Sequence, residues 1–238
     1  MEIYKEELLN IINDLSTKRN KEEVFDDILK LLAYSLANYG EFSERRENEF
    51  MKISAKYAEE EQSKLTMFLA LLKVICTKEP ETDALGDIFE KFNMQNKSRG
   101  QVFTPSHIAR LMSDLILTKE EVLKTIEEDG FITLSDMACG SGRLITEAYN
   151  KLIGWDIEPK KILILADDLD LRCCCMTFIQ LNLKGASAIV RHRDSLNGKT
   201  FDTLYTSSYR DNEYLKNLLE VKNKMQQKQR KNSERDER

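Results

Sequence analysis

The run Asp136-Met137-Ala138-Cys139-Gly140-Ser141-Gly142 decides how this chain of 238 residues is read. It follows a β-branched segment, Ile132-Thr133-Leu134-Ser135, and precedes a stretch of helical periodicity over residues 143–152. Two glycines at a strand-to-helix turn let the backbone take positive φ and approach a ligand with no Cβ in the way. The first amides of the helix beyond are free donors that suit a carboxylate or a ribose. A phosphate-binding loop is the nearest rival. It needs a lysine that is absent, and Ile145 stands where a dinucleotide fingerprint wants a third glycine or alanine. Spacing alone leaves two readings open, a ligand-binding turn and a structural one.

Working outward, further strand-like runs follow at Ile162-Leu163-Ile164-Leu165 and Ala188-Ile189-Val190. A last one, Phe201-Asp202-Thr203-Leu204-Tyr205, comes after an Asn197-Gly198 turn. Strands separated by helical segments predict an α/β fold, a parallel sheet with crossover helices. Toward the N-terminus the pattern is helical. Leu8, Leu9, Ile11, Ile12 and Leu15 form one apolar stripe, and Val24, Phe25, Ile28, Leu31, Leu32 and Leu36 another. A long helix is predicted from about 43 to 76, stopped by Pro80, with Asp83 capping a short helix that carries Leu85, Ile88, Phe89 and Phe92. The predicted division is an all-α domain over 1–95, an α/β domain over 96–210 and a charged helical tail over 211–238.

The glycine turn is similar to the DPACGSG motif of adenine-N6 DNA methyltransferases, especially the modification subunits of type I restriction systems. Two more segments share the resemblance. Gly100-Gln101-Val102-Phe103-Thr104-Pro105 resembles the family's GQFYTP, which closes over the methionine part of the cofactor. Ala166-Asp167-Asp168-Leu169-Asp170 resembles the second strand, usually read D-I-D-P. The three cover roughly residues 85–195, in order. The resemblance implies a Rossmann-like S-adenosylmethionine-dependent methyltransferase domain, truncated after the fourth strand, behind the N-terminal all-α domain. It implies a cofactor pocket of Phe103, Thr104, Asp136, Ala138, Cys139, Gly140, Ser141, Gly142, Asp168, Leu169 and Asp194. Asp168 would end the second strand, where a carboxylate accepts both ribose hydroxyls; its plain alternative is a surface acid. Asp194 would follow the third strand near the adenine amine, its plain alternative being a loop cap. Phe103 reads equally as a ring stacked on the ligand or a core plug, and Thr104-Pro105 as N-cap and first helical residue.

For catalysis, the family's N-P-P-Y tetrapeptide aligns with Thr206-Ser207-Ser208-Tyr209. The resemblance therefore gives Asp194, Thr206, Ser207 and Tyr209 as the groups facing the base, with the tyrosine stacking on an extruded adenine. Hydroxyls are weaker acceptors than the family's amide or carboxylate, and loss of one such contact typically costs about 10²–10³ in rate. Two expectations follow: an enzyme methylating adenine in DNA, completed by a partner or dimer mate, or a non-catalytic module that binds cofactor and docks through its helices. A fourth strand at an open sheet edge calls for a cover, from the C-terminal helix, a second copy or another protein.

Bulk properties narrow the partners. Hydrophobic residues are 41% of the chain, enough for a real core. The net charge of -5 argues against gripping DNA unaided, so DNA contact calls for another subunit. No apolar run approaches the roughly 18 residues of a membrane span, and the opening MEIYKEELLN is unlike a secretory signal. Five cysteines, three of them adjacent at 173–175, suit a reducing cytoplasm rather than a disulfide framework. Adjacent helical residues point about 100° apart, so the cysteine run reads as a buried helix face, not a metal site.

Overall fold

The computed structural model describes residues 2–92, 94 and 103–236. Gly100, Gln101 and Val102 of the quoted segment lie outside the described residues. Five helices come first: α1 (Glu2–Leu15), α2 (Lys21–Asn38), α3 (Glu44–Ser54), α4 (Glu59–Lys78) and α5 (Ala84–Lys91). The single long helix expected over 43–76 is in fact α3 and α4. The break at residues 55–58 has a tertiary cause. Tyr57 is buried and its hydroxyl donates to the buried Asp27 of α2 at 3.0 Å, while Lys56 Nζ reaches the same carboxylate at 3.0 Å. Glu61 then starts α4 by accepting the Ala58 amide at 2.9 Å.

The second half builds the sheet. After α6 (Ser106–Ile116) and α7 (Lys119–Asp129) come β1 (Ile132–Asp136), α8 (Arg143–Gly154), β2 (Ile162–Asp168), α9 (Leu171–Leu183), β3 (Ala188–Arg193), β4 (Thr200–Tyr205), α10 (Ser207–Asp211) and α11 (Glu213–Asp236). Strand order is β1-β2-β3-β4. β1, β2 and β3 are parallel, with Ile132 opposite Ile162 and Ile164 opposite Ala188. This is the Rossmann-like α/β fold, with one departure from a wholly parallel sheet. β4 pairs with β3 antiparallel, Ile189 opposite Tyr205 and Val190 opposite Leu204. The cause is covalent. Only residues 194–199 join the two strands, whereas a parallel crossover needs a dozen residues or more. A doubly wound sheet would set its fourth strand beside β1; here, among the described residues, that edge of β1 is unpaired and flanks an apolar groove with Ile116, Leu117 and Leu144.

Side-chain alternation assigns the two faces. Ile162, Ile164, Ala166 and Val190 point into the main core with α8 and α9, while Leu163, Leu165 and Ile189 point to α11 through Leu215, Leu218 and Leu219. Cys173, Cys174 and Cys175 are buried on α9, as the helix-face reading predicts, and burial pushes all three thiols up. α2 packs on the outer side of α9. One hydrophobic cluster therefore runs from Leu8 of α1 to Leu204 of β4, across the divide expected near residue 95.

Candidate functional site

The glycine turn sits at the carboxyl end of β1 because β1 ends at Asp136 and α8 cannot begin until the chain has reversed. Gly140 and Gly142 both take positive φ, 56° and 92°. A Cβ on Gly142 would lie 2.8 Å from Thr177 Oγ1 and 3.2 Å from the Thr177 Cα; one on Gly140 would lie 3.2 Å from the Phe103 ring. The turn is held from both sides. Gly142 donates to the Cys139 carbonyl at 2.8 Å, Cys139 donates to the Asp167 carbonyl at the end of β2 at 2.9 Å, and Thr177 of α9 donates to the Gly140 carbonyl at 3.0 Å.

Asp168, last residue of β2, meets this turn directly. Its Oδ2 accepts the Gly140 amide at 2.9 Å and its Oδ1 the Asp170 amide at 2.8 Å. Asp136 accepts the Ala138 amide at 3.0 Å. Burial raises both carboxyl groups above the usual range, and for Asp168 the two amides oppose that rise. Phe103, Thr104, Asp136 and residues 138–141 line a cleft of about 110 Å³ together with Arg143 and Leu144. Phe103 is buried and stacks on Phe89 with centroids 5.2 Å apart, so in this structure it packs as a core residue beside Gly140. Thr104 is not the N-cap of α6. Pro105 takes that place in extended conformation, and Ser106 opens the helix. The Thr104 carbonyl instead accepts from Arg143 Nη1 at 3.2 Å. Leu169 is exposed, and its carbonyl accepts from His192 Nε2 at 3.0 Å.

Asp194 stands at the same end of the sheet, following β3, but its carboxylate is turned into its own loop. Oδ1 accepts the amides of Leu196 (3.0 Å) and Asn197 (3.3 Å), and Oδ2 accepts the Asn197 side chain at 2.7 Å. This is the loop-cap geometry of an Asx turn. The loop reaches β1's side of the site through Ser195, whose hydroxyl donates to the Met137 carbonyl at 2.8 Å.

The segment Thr206-Ser207-Ser208-Tyr209 lies elsewhere. Because β4 runs antiparallel, it ends at the amino end of β3, about 20 Å along that strand from Asp194 at roughly 3.3 Å per residue. The structure does not bring Thr206, Ser207 and Tyr209 to Asp194 or to the glycine turn. They clasp the base of the sheet instead. Thr206 is buried, donates to the Ala186 carbonyl at 2.7 Å and accepts the Ala188 amide at 2.9 Å. Ser207 donates its amide to the Asn182 side chain at 2.8 Å, and Tyr209 stacks on Tyr205. The next residue, Arg210, donates to the Ala37 and Tyr205 carbonyls at 3.0 and 3.1 Å, tying the clasp to the end of α2. The signal for this was present in the brevity of the 194–199 connection.

Sequence reading also missed the groups behind the turn. Asp83, Arg143, Thr177 and Gln180 are all buried and bonded to it or to one another.

Known proteins resemble this chain to different degrees. A crystal structure described as that of a class I S-adenosylmethionine-dependent methyltransferase from Listeria monocytogenes aligns over 85% of this chain and 57% of its own, at 15% identity and a TM-score of 0.43. The "Type I restriction enzyme MjaIX methylase subunit" of Methanocaldococcus jannaschii is 26% identical over 148 residues, 58% of this chain. The chain spans about a quarter of the length of that relative, 25%. The family described as N-6 DNA Methylase matches residues 80–229, which takes in α5, the glycine turn, Asp168 and the whole sheet. On that match, covering well over half of the sequence, the chain belongs to the N-6 DNA methylase family.

Proposed function

We propose that this chain is the S-adenosylmethionine-binding part of an adenine-N6 DNA methyltransferase that works on DNA together with another polypeptide. The observation that carries the reading is the bond between the Gly140 amide and the Asp168 carboxylate, made across the carboxyl ends of neighbouring parallel strands. That is where open α/β sheets take nucleotide ligands. The residues fit the group. Asp136 and Asp168 are acids made costly to ionise by burial, and ribose hydroxyls or an ammonium group would supply the missing donors. The turn at 140–142 carries no Cβ at its two tightest points. When bound, the cofactor supplies an electrophilic methyl group on a sulfonium. This chain's own part is to bind and orient. Asp168 holds the ribose, Phe103 and Thr104 wall the cleft, and Leu169 offers an apolar surface beside the adenine.

The base-contacting groups come from another chain in this reading, because Thr206, Ser207 and Tyr209 are bound at the far end of the sheet. The acidic charge balance points the same way. No described helix is long and apolar enough to cross a membrane, and five buried cysteines, none of them in a disulfide, suit the cytoplasm. The test is calorimetric titration with S-adenosylmethionine, followed by tritiated methyl transfer to mixed-sequence DNA. One cofactor should bind per chain, and the chain alone should leave the DNA unlabelled. Absence of binding would refute the cofactor assignment; labelled DNA from the chain alone would refute the need for a second polypeptide.

A further inference from the structure

We propose that Asp83, in the helical layer, is a positioning residue that holds the glycine turn in its ligand-ready form. What the turn holds rests on the cofactor reading above; that Asp83 holds the turn does not. Asp83 is the N-cap of α5 and accepts the Gly86 amide at 2.9 Å. A cap needs one acceptor, and an exposed serine or asparagine serves as well. Asp83 is buried and receives three more donors, filling the roughly four acceptor sites of a carboxylate. Gln180 Nε2 of α9 donates to Oδ1 at 2.9 Å. Arg143 Nε donates to Oδ2 at 3.0 Å, and the Ser141 hydroxyl makes a short bond to the same oxygen.

Each of those three partners is part of the turn or braces it. Ser141 lies within the turn, and Gln180 Nε2 also donates to the Ser141 carbonyl at 2.9 Å. Arg143 opens α8 and reaches the opposite wall of the cleft, donating to the Thr104 carbonyl at 3.2 Å, while its Nη2 binds Asp87 at 2.7 Å. Both walls of the cleft therefore hang on one carboxylate that comes from another layer of the fold. Gly86 belongs to the same arrangement, since a Cβ there would collide with the Asp83 carboxylate and come within 2.6 Å of the Ser141 hydroxyl. Stability does not explain the device. A buried ion pair returns little net stabilisation over a well-packed apolar pair, because both charges are desolvated. It does fix a single geometry, and the geometry it fixes here is that of the turn.

The test uses the whole chain and two variants. Asp83→Asn keeps the α5 cap but removes the charge that Arg143 and Ser141 face. Gln180→Met keeps the volume and the Asp83–Arg143 pair but removes the amide that links the Asp83 carboxylate to the Ser141 carbonyl. For each, calorimetry gives S-adenosylmethionine affinity, and hydrogen exchange of the unliganded protein gives protection of the amides of residues 139–142 and of β2 and β3. Asp83→Asn is expected to bind about ten- to a hundredfold more weakly, the usual range of coupling between two sites, with faster exchange in the turn and unchanged protection in the strands. Gln180→Met should move both readouts in the same direction by less, and it decides the matter if Asp83→Asn does not fold. Unchanged affinity and unchanged turn exchange would overturn the proposal, as would exchange that quickens equally in turn and strands. If the wild-type chain binds no cofactor yet Asp83→Asn loosens the turn alone, the positioning role stands and the cofactor reading falls.

Discussion

Substituting Gly142 by alanine probes the turn at its tightest point. Gly142 has φ 92°, a region where an L-residue costs about 1–2 kcal/mol. The new Cβ would also sit 2.8 Å from Thr177 Oγ1 and 3.2 Å from the Thr177 Cα. The hydroxyl can rotate away only by giving up its bond to the Gly140 carbonyl, and the Cα belongs to the backbone of α9. Overpacking of that kind adds about 1–3 kcal/mol. The total, about 2–5 kcal/mol, corresponds in a chain of this size to a melting temperature lower by roughly 5–15 °C. Gly154 is the internal control. It ends α8, has nothing within 4 Å of its would-be Cβ, and does not have positive φ. Gly154→Ala should be neutral or stabilising by up to about 1 kcal/mol, because alanine narrows the unfolded ensemble. Differential scanning calorimetry on the two variants decides. A Gly142→Ala protein within about 0.5 kcal/mol of wild type, the spread of ordinary surface substitutions, would refute the argument that this turn is sterically closed to side chains.

Asp168→Asn replaces an acceptor-only group by one carrying two donors, opposite the amides of Gly140 and Asp170; S-adenosylmethionine affinity should fall at least tenfold by the order of a charge-assisted bond, and unchanged calorimetric affinity would remove Asp168 from the site. Asp26 is pushed up to about 6 by burial, from 3.8. Its folded form therefore takes up protons more readily than the unfolded chain, so stability contributed here falls as pH rises from about 4 to 6 and is lost above that. Asp26→Asn should be more stable than wild type at pH 7 by about 1 kcal/mol, after allowance for partial solvent exposure, with the gain gone below about pH 4 in urea titrations at both pH values. Thr206→Val leaves the Ala188 amide without its partner and should cost about 1–3 kcal/mol in the same assay. Cofactor affinity should not change, since Thr206 is at the far end of the sheet; a matching loss of affinity would contradict the direction of β4.

Features set by local pattern were legible in the sequence. The glycine turn, the apolar stripes of α1 and α2 and the buried cysteine face of α9 each follow from spacing over a few residues, and the acid ending β2 came with the family resemblance. Asp83 was legible as the cap of α5 for the same reason. What escaped was set by long-range partners. The break between α3 and α4 depends on Tyr57 and Lys56 finding Asp27. The other partners of Asp83 lie 58, 60 and 97 residues away, so no local window could disclose its second role. Alignment to the tetrapeptide placed Thr206 and Tyr209 by order along the chain, whereas the six-residue link at 194–199 already required an antiparallel β4. Asp194 falls between these cases. Its place at the end of β3 followed from pattern, but the orientation of its carboxylate into residues 196 and 197 did not.

The apolar cluster shared by Leu8 and Leu204 has a consequence for how the molecule comes apart. α9 is sandwiched, with strands on one flank and α2 on the other. Cutting away the first ninety residues would strip it bare along the side that α2 now covers. Neither half is a lodger that can move out. The helices and the strands should melt together in one cooperative step, and a chimera that borrows its front half from a relative would need the matching outer surface of α9 to remain soluble.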